Sequence, residues 1–179
     1  TRANNLNNEV VAHPSTLQTS GVLGMTAMKK ELQTPKILLS PCDYDRESEN
    51  EIVQAEWASY NTKDDGVSEM LGEGISYTYI RGADSQRSSS VLATTRNWSE
   101  NSLNGGRWLG ADKDEGNSRV IGGLNMSQGQ LVTMDGVARQ STNADLGSGG
   151  RIAKAAMAAR GGMSLGTTSL SILRGPGLE

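Results

Sequence analysis

GQLVTMDGVARQS, residues 129–141, is the stretch on which the fold turns. Two short apolar-leaning runs flank Asp135-Gly136, and an Asp-Gly link between such runs is the strongest local signal for a β-hairpin. In a type I′ turn both central residues take positive φ, which Gly adopts freely and Asp tolerates. That register sets Met134 opposite Val137, Thr133 opposite Ala138 and Val132 opposite Arg139. Met134, Val132 and Val137 then share one face, with Leu131 and Ala138 on the other. Neither face is purely polar, so both are expected to be covered and the hairpin to form the centre of a small antiparallel sheet.

Further strands are expected on either side. ISYTYIR (75–81) alternates Ile75, Tyr77 and Tyr79 with Ser76, Thr78 and Ile80, the period-two pattern of a strand. SVLATT (90–95) and TTSLSILR (167–174) read as strands too, and residues 107–109 as a short paired segment around Trp108. KILLS (36–40), bounded by Pro35 and Pro41, reads as a buried strand.

Two stretches read as helices. Ser20 is placed to cap Gly21 to Leu32, where Val22, Met25, Met28 and Leu32 form one apolar stripe. Lys29 and Lys30 suit the C-terminal end of its dipole, and Thr34-Pro35 stops it. RIAKAAMAAR (151–160) is a strong helix former with a narrow face of Ile152, Ala155, Ala156 and Ala159, ended by Gly161-Gly162. Ile52 to Tyr60 reads as a short helical turn with Ile52, Val53 and Trp57 inward. The expectation is one domain over 1–179. Residues 1–19 form an extended or loop segment, 20–33 a helix, 36–146 mainly strands and loops, 151–160 a helix and 167–174 a strand. The expected class is α+β: a small antiparallel sheet packed on helices, with long loops.

Composition fits such a chain and excludes several functions. Only 35% of residues are hydrophobic, Phe is absent and Gly numbers 22, which predicts a thin core of Leu, Ile, Val and Met among many turns. A net charge of −3 argues against a nucleic-acid partner, which needs a basic face. No run approaches the roughly 18 apolar residues of a membrane span. No secretory signal is present, and because the chain opens at Thr1 any targeting segment is expected upstream. Cys42 is the only cysteine, so neither an intrachain disulfide nor a cysteine zinc cluster can form. Abundant Ser, Thr, Asn and Gly, few aromatics and mild acidity are common in exported surface proteins.

Four kinds of chemistry compete with plainer readings of the same residues. Cys42 and His13 are the sole residues of their types, but no spacing ties them together and no G-x-S-x-G elbow occurs. The plainer reading of Cys42 is a small buried thiol. Carboxylate pairs are inevitable among 20 acidic residues and carry no signal without a cleft. Gly147 to Gly150 precedes the helix at Arg151, yet neither a P-loop nor a dinucleotide fingerprint surrounds it. Calcium is the better candidate. Asp43, Asp45 and Glu47 alternate in one acidic loop, and Asp112, Asp114 and Asn117 cluster beside Gly116 in another. Ca²⁺ takes six to eight oxygen ligands from such flexible loops. Neither loop completes an EF-hand, the second is the preferred site, and the plainer reading is solvated charge.

Several segments, in order, resemble a known pattern: ELQTPKILLSPCDYDR (31–46), GISYTYIRGADSQRSSSVLATTRN (74–97), Trp108, GQLVTMDGVARQSTNADL (129–146) and the terminal SILR. Together they resemble the globular domain of type IV pilin-like proteins, specifically pseudopilins of the type II secretion kind. The chain departs from that pattern in its Ser40-Pro41-Cys42-Asp43 order, where the family usually has Cys directly before Pro. The family's N-terminal apolar helix and its peptidase site are not among these residues; they lie upstream, or the protein is a soluble derivative. The resemblance implies a non-catalytic, exported building block, periplasmic or at the cell surface. Its expected partners are further copies in a filament or pseudopilus, or other pilin-like subunits. Some members bind calcium in a loop of the sheet domain, which again points to Asp112, Asp114 and Asn117. The alternative is an extracellular calcium-dependent module that binds a glycan or protein.

Overall fold

The computed structural model describes residues 18–44, 46, 57, 74–84, 86–103, 105–111, 119–146, 150–157 and 170–173. Two short helices, α1 (Thr19–Gly24) and α2 (Thr26–Leu32), lead into a 3-10 turn, Pro35–Leu38. Strands β1 (Tyr77–Arg81), β2 (Val91–Thr95), β3 (Gln128–Thr133) and β4 (Ala138–Thr142) follow, then helix α3 (Arg151–Met157) and strand β5 (Ser171–Leu173). The strands form one sheet in the order β4-β3-β2-β1-β5, every pairing antiparallel.

The expected α+β class, a sheet packed on helices, is overturned. The described chain is mostly this five-stranded antiparallel sheet, 29% strand against 21% helix, and no described helix exceeds seven residues. What covers the sheet explains the difference. On one face Ile80, Val91, Leu131 and Ile172 pack with Trp98, Leu103, Trp108 and Leu146 from loops, and α3 adds Ile152 to this cluster. Ala155, expected on the inward face of α3, is exposed. On the other face Leu23, Leu38 and Ile75 form a smaller cluster with Met28, Leu32, Trp57 and Tyr79 around them. Two large tryptophan rings supply apolar area that a longer helix would otherwise have provided.

Local chemistry accounts for the other departures. The helix expected across residues 21–32 breaks at Met25, whose ψ of 137° is extended. Gly24 stands at the bend, and Gly in a helix interior costs about 1 kcal/mol relative to Ala. The first segment starts two residues early, with Gln18 at the cap position and no side-chain cap bond, so Ser20 is not the cap. The break lets Leu23 and Thr19 bury against β1. Thr19 Oγ1 accepts from Tyr79 N at 3.0 Å and donates to the Leu173 carbonyl, so one hydroxyl ties α1 across β1 and β5.

KILLS is a helical turn, not a strand. Pro35 presets φ at the first position and Thr34 Oγ1 accepts from Lys36 N at 3.4 Å. A three-residue period turns Pro35 and Leu38 inward and leaves Ile37 56% exposed. Trp57 donates its indole N–H to the Gln33 carbonyl at 3.1 Å; Ile52 and Val53 lie outside the described residues.

The hairpin at Asp135-Gly136 is present with a register one residue away from the expected one. Val132 faces Ala138 and Leu131 faces Arg139. Gly136 N donates to Thr133 O at 2.9 Å and Thr133 N to Val137 O at 3.1 Å. Only Gly136 has positive φ (82°); Asp135 does not. This is a three-residue loop, a type I turn closed by a left-handed glycine, in place of the two-residue type I′ turn. Asp135 selects it. Its Oδ1 accepts from Thr133 Oγ1 at 2.5 Å and Val137 N at 3.1 Å, and these two bonds hold the carboxyl below the usual carboxylate range. Leu131 and Thr133 therefore face the core while Val132 and Ala138 share the opposite face.

Candidate functional site

The densest polar arrangement lies where the strand ends meet the loop after the 3-10 turn. Ser76 precedes β1 and Arg96 follows β2; Arg96 N donates to Ser76 O at 2.8 Å, extending the β1–β2 ladder by one pair. That pairing places the Ser76 hydroxyl and the Arg96 guanidinium side by side. Ser76 N donates in turn to Leu38 O at 2.8 Å, which draws the 3-10 turn against the start of β1. The chain then bends through Ser40-Pro41-Cys42, where Asp43 N donates to Ser40 O at 2.9 Å, and delivers Asp43 beneath both.

Asp43 and Arg96 form a buried, two-pronged ion pair. Arg96 Nε donates to Oδ2 at 2.7 Å and Nη2 to Oδ1 at 2.6 Å, with side-chain exposures of 0% for Asp43 and 2% for Arg96. Ser76 Oγ donates to Oδ2 at 2.8 Å, and Arg46 Nε stands 3.9 Å from the same oxygen. Arg96 Nη2 also donates to the Val120 carbonyl at 2.9 Å, and Gly123 N donates to Cys42 O at 2.9 Å. One guanidinium thus joins four stretches of chain: residues 40–46, the start of β1, the end of β2 and residues 119–123. The planar fork of Arg fits a carboxylate in this manner and a Lys would not.

Two tryptophans follow Arg96 in the chain. Trp98 and Trp108 meet edge to face with centroids 4.9 Å apart and planes at 79°, both fully buried. Trp108 Nε1 donates to Ser141 Oγ at 3.1 Å, and its backbone N to Asn143 Oδ1 at 2.6 Å. Asn97, just before Trp98, is buried: Nδ2 donates to Gln128 O at 2.8 Å, and Oδ1 has no partner. Tyr77 and Tyr79 lie on the opposite face of β1, where burial pushes both phenols up from their ordinary value; a bond with Ser40 pulls Tyr77 partly back.

Of the residues expected to carry chemistry, the structure brings Asp43 to this node as a clamp. Asp45, Glu47, Asp112, Asp114 and Asn117 lie outside the described residues, as does His13. Among the described residues no group of three His, Cys, Asp or Glu side chains is placed to hold a metal ion, and Cys42 is a free, half-buried thiol. No described helix is long and apolar enough to cross a membrane. Sequence reading missed Arg96 and Ser76 as partners of Asp43. The available signal was an arginine at the end of an apolar strand, a position where burial demands a counter-charge. Compared with known proteins, the chain matches no family model, no curated protein and no solved structure.

Proposed function

We propose that this chain is a non-catalytic structural subunit of a pilin-like or pseudopilin-like assembly at the cell envelope, exported and associating with further copies or with related subunits. The observation that carries the reading is where its resembling segments meet. Asp43 from the Ser-Pro-Cys-Asp loop, Ser76 from the Ser-Tyr strand and Arg96 from the Arg-Asn segment bond to one another in the interior. Trp108 and the Asp135-Gly136 hairpin complete the same sheet and core. The segments that carry the resemblance thus bond to one another in the interior, which supports reading the chain as a building block. Both oxygens of Asp43 are engaged by protein donors, which suits a clamp.

Two observations test the reading. The coding sequence upstream of Thr1 is expected to supply a Gly-Phe-Thr-Leu-x-Glu start followed by about 20 apolar residues, the length that spans a bilayer. Electron microscopy of cells producing the full-length protein is expected to show filaments or short pili that carry it. An upstream sequence without the apolar helix, together with a dispersed protein that never enters an envelope assembly, would refute it.

A further inference from the structure

The two edges of the sheet are treated differently. At β5 the edge is closed: Ile172 N donates to Asn101 O at 2.8 Å, Leu103 N donates to Leu170 O at 3.1 Å, and Ser102 bridges Ser171. At β4 it is open. Thr133 N bonds Val137 O, so in this register Arg139 and Ser141 turn their backbone groups towards β3. Gln130 confirms the parity from the other side, since both its N–H and its carbonyl meet Thr95 Oγ1 of β2. Ala138, Gln140 and Thr142 must then direct theirs outward, and all three are exposed. Among the described residues no group bonds the backbone of Ala138 or Gln140 on that side; the Thr142 carbonyl accepts from Asp145 N and Leu146 N. The edge carries no Pro, no bulge and no Lys, the usual guards against strand addition.

We propose that the β4 edge is a strand-pairing surface for the β4 of a second copy, antiparallel and related by a two-fold axis through Gln140. Parity selects this register, because outward residues must meet outward residues: Gln140 faces the partner's Gln140, and Ala138 faces the partner's Thr142. The two Gln140 residues exchange a pair of backbone bonds, and each Thr142 N–H reaches the partner's Ala138 carbonyl. Charge permits it. Arg139, the one charged residue of β4, falls opposite the partner's Ser141, so no like charges stand directly across. A copy of the same strand therefore satisfies the exposed row with its own, apart from the Ala138 N–H, whose counterpart, the Thr142 carbonyl, is already engaged by Asp145 N and Leu146 N. An edge of five residues lies far below the roughly 1,200 Å² of a stable interface, so in the free protein the contact is weak and tightens where copies are held side by side. The inference deepens the structural-subunit reading and rests on it.

The test uses the full chain in sedimentation velocity runs from micromolar to millimolar concentration. The wild type is expected to associate reversibly into dimers. Gln140→Pro removes an N–H that faces away from β3, so its melting temperature stays near wild type while the dimer weakens about tenfold, two bonds being lost per pair. Gln140→Lys and Gln140→Glu each oppose a like charge across the axis and stay monomeric, whereas their equimolar mixture associates again. A wild type that is monomeric throughout, or a dimer indifferent to Gln140→Pro and to the Lys/Glu exchange, would overturn the proposal. Filaments that form undiminished with Gln140→Lys would overturn the edge and leave the subunit reading standing.

Discussion

Replacing Arg96 by Met removes the guanidinium and keeps an unbranched apolar side chain of similar reach. Asp43, with 0% side-chain exposure, then retains only the Ser76 hydroxyl at 2.8 Å and the Arg46 Nε at 3.9 Å. The Val120 carbonyl loses its donor as well. Breaking a buried ion pair from one side costs about 3–5 kcal/mol, because a desolvated charge is left uncompensated. Against the roughly 5–15 kcal/mol that holds a domain together, that is a large share. At about 2–4 °C per kcal/mol for a chain of this size, the melting temperature should fall by about 6–20 °C. Asp43→Leu should cost a similar amount, since it strands Arg96. The double variant separates the charge from the pair. Exchanging both partners for apolar groups is often neutral or better, though Ser76 Oγ and Val120 O would each remain unpaired at about 1–3 kcal/mol. It should therefore be more stable than the sum of the single losses predicts. Urea unfolding of the four proteins, compared at constant m, measures the coupling. A loss below about 1 kcal/mol for Arg96→Met, or strict additivity in the cycle, would refute the clamp.

Three further outcomes are expected. Gly129→Ala should cost about 1–3 kcal/mol by urea unfolding, the range for overpacking, because its Cβ would stand 2.0 Å from Trp108 Cε3. Gly122→Ala, which meets nothing within 4 Å, is the matched control. Burial raises the folded-state phenols of Tyr77 and Tyr79 above 10.0, so their contribution is fully present below pH 10 and is lost as pH rises through the folded value. The melting temperature should fall in that alkaline window, and Tyr79→Phe should shrink the fall without changing stability at neutral pH. If the loop of Asp112, Asp114 and Asn117 binds calcium, Ca²⁺ at a hundred times its Kd adds about 2.7 kcal/mol relative to EGTA, read as a melting shift. Asp112→Asn with Asp114→Asn should abolish that shift, and identical melting of the wild type in Ca²⁺ and EGTA would refute the site.

The reach of sequence reading follows the range of each interaction. The alternation of Ile75 to Ile80 placed Tyr79 and Ile80 on opposite faces, and they lie in different clusters. Asp135-Gly136 marked a hairpin, but whether its loop holds two residues or three depended on where the Asp135 carboxylate bonds, and that moved every facing pair by one. Pro35 and the threonine before it outweighed the apolar run that read as a strand. Gly129 leaves room in β3 for the ring of Trp108, which is 21 positions away in the chain, and nothing in the local sequence marks that approach.

Residues 75–81, 90–95 and 129–141 determine by themselves that the chain contains strands and a hairpin, because propensity, alternation and turn chemistry act between near neighbours. Only the tertiary structure decided that, among the described residues, loops, tryptophans and short helices of at most seven residues cover the sheet. It alone also joined Asp43 to Arg96, 53 positions apart, as the bond that closes four segments together. A buried charge needs its partner in space, and local sequence carries no record of which distant strand end will supply it.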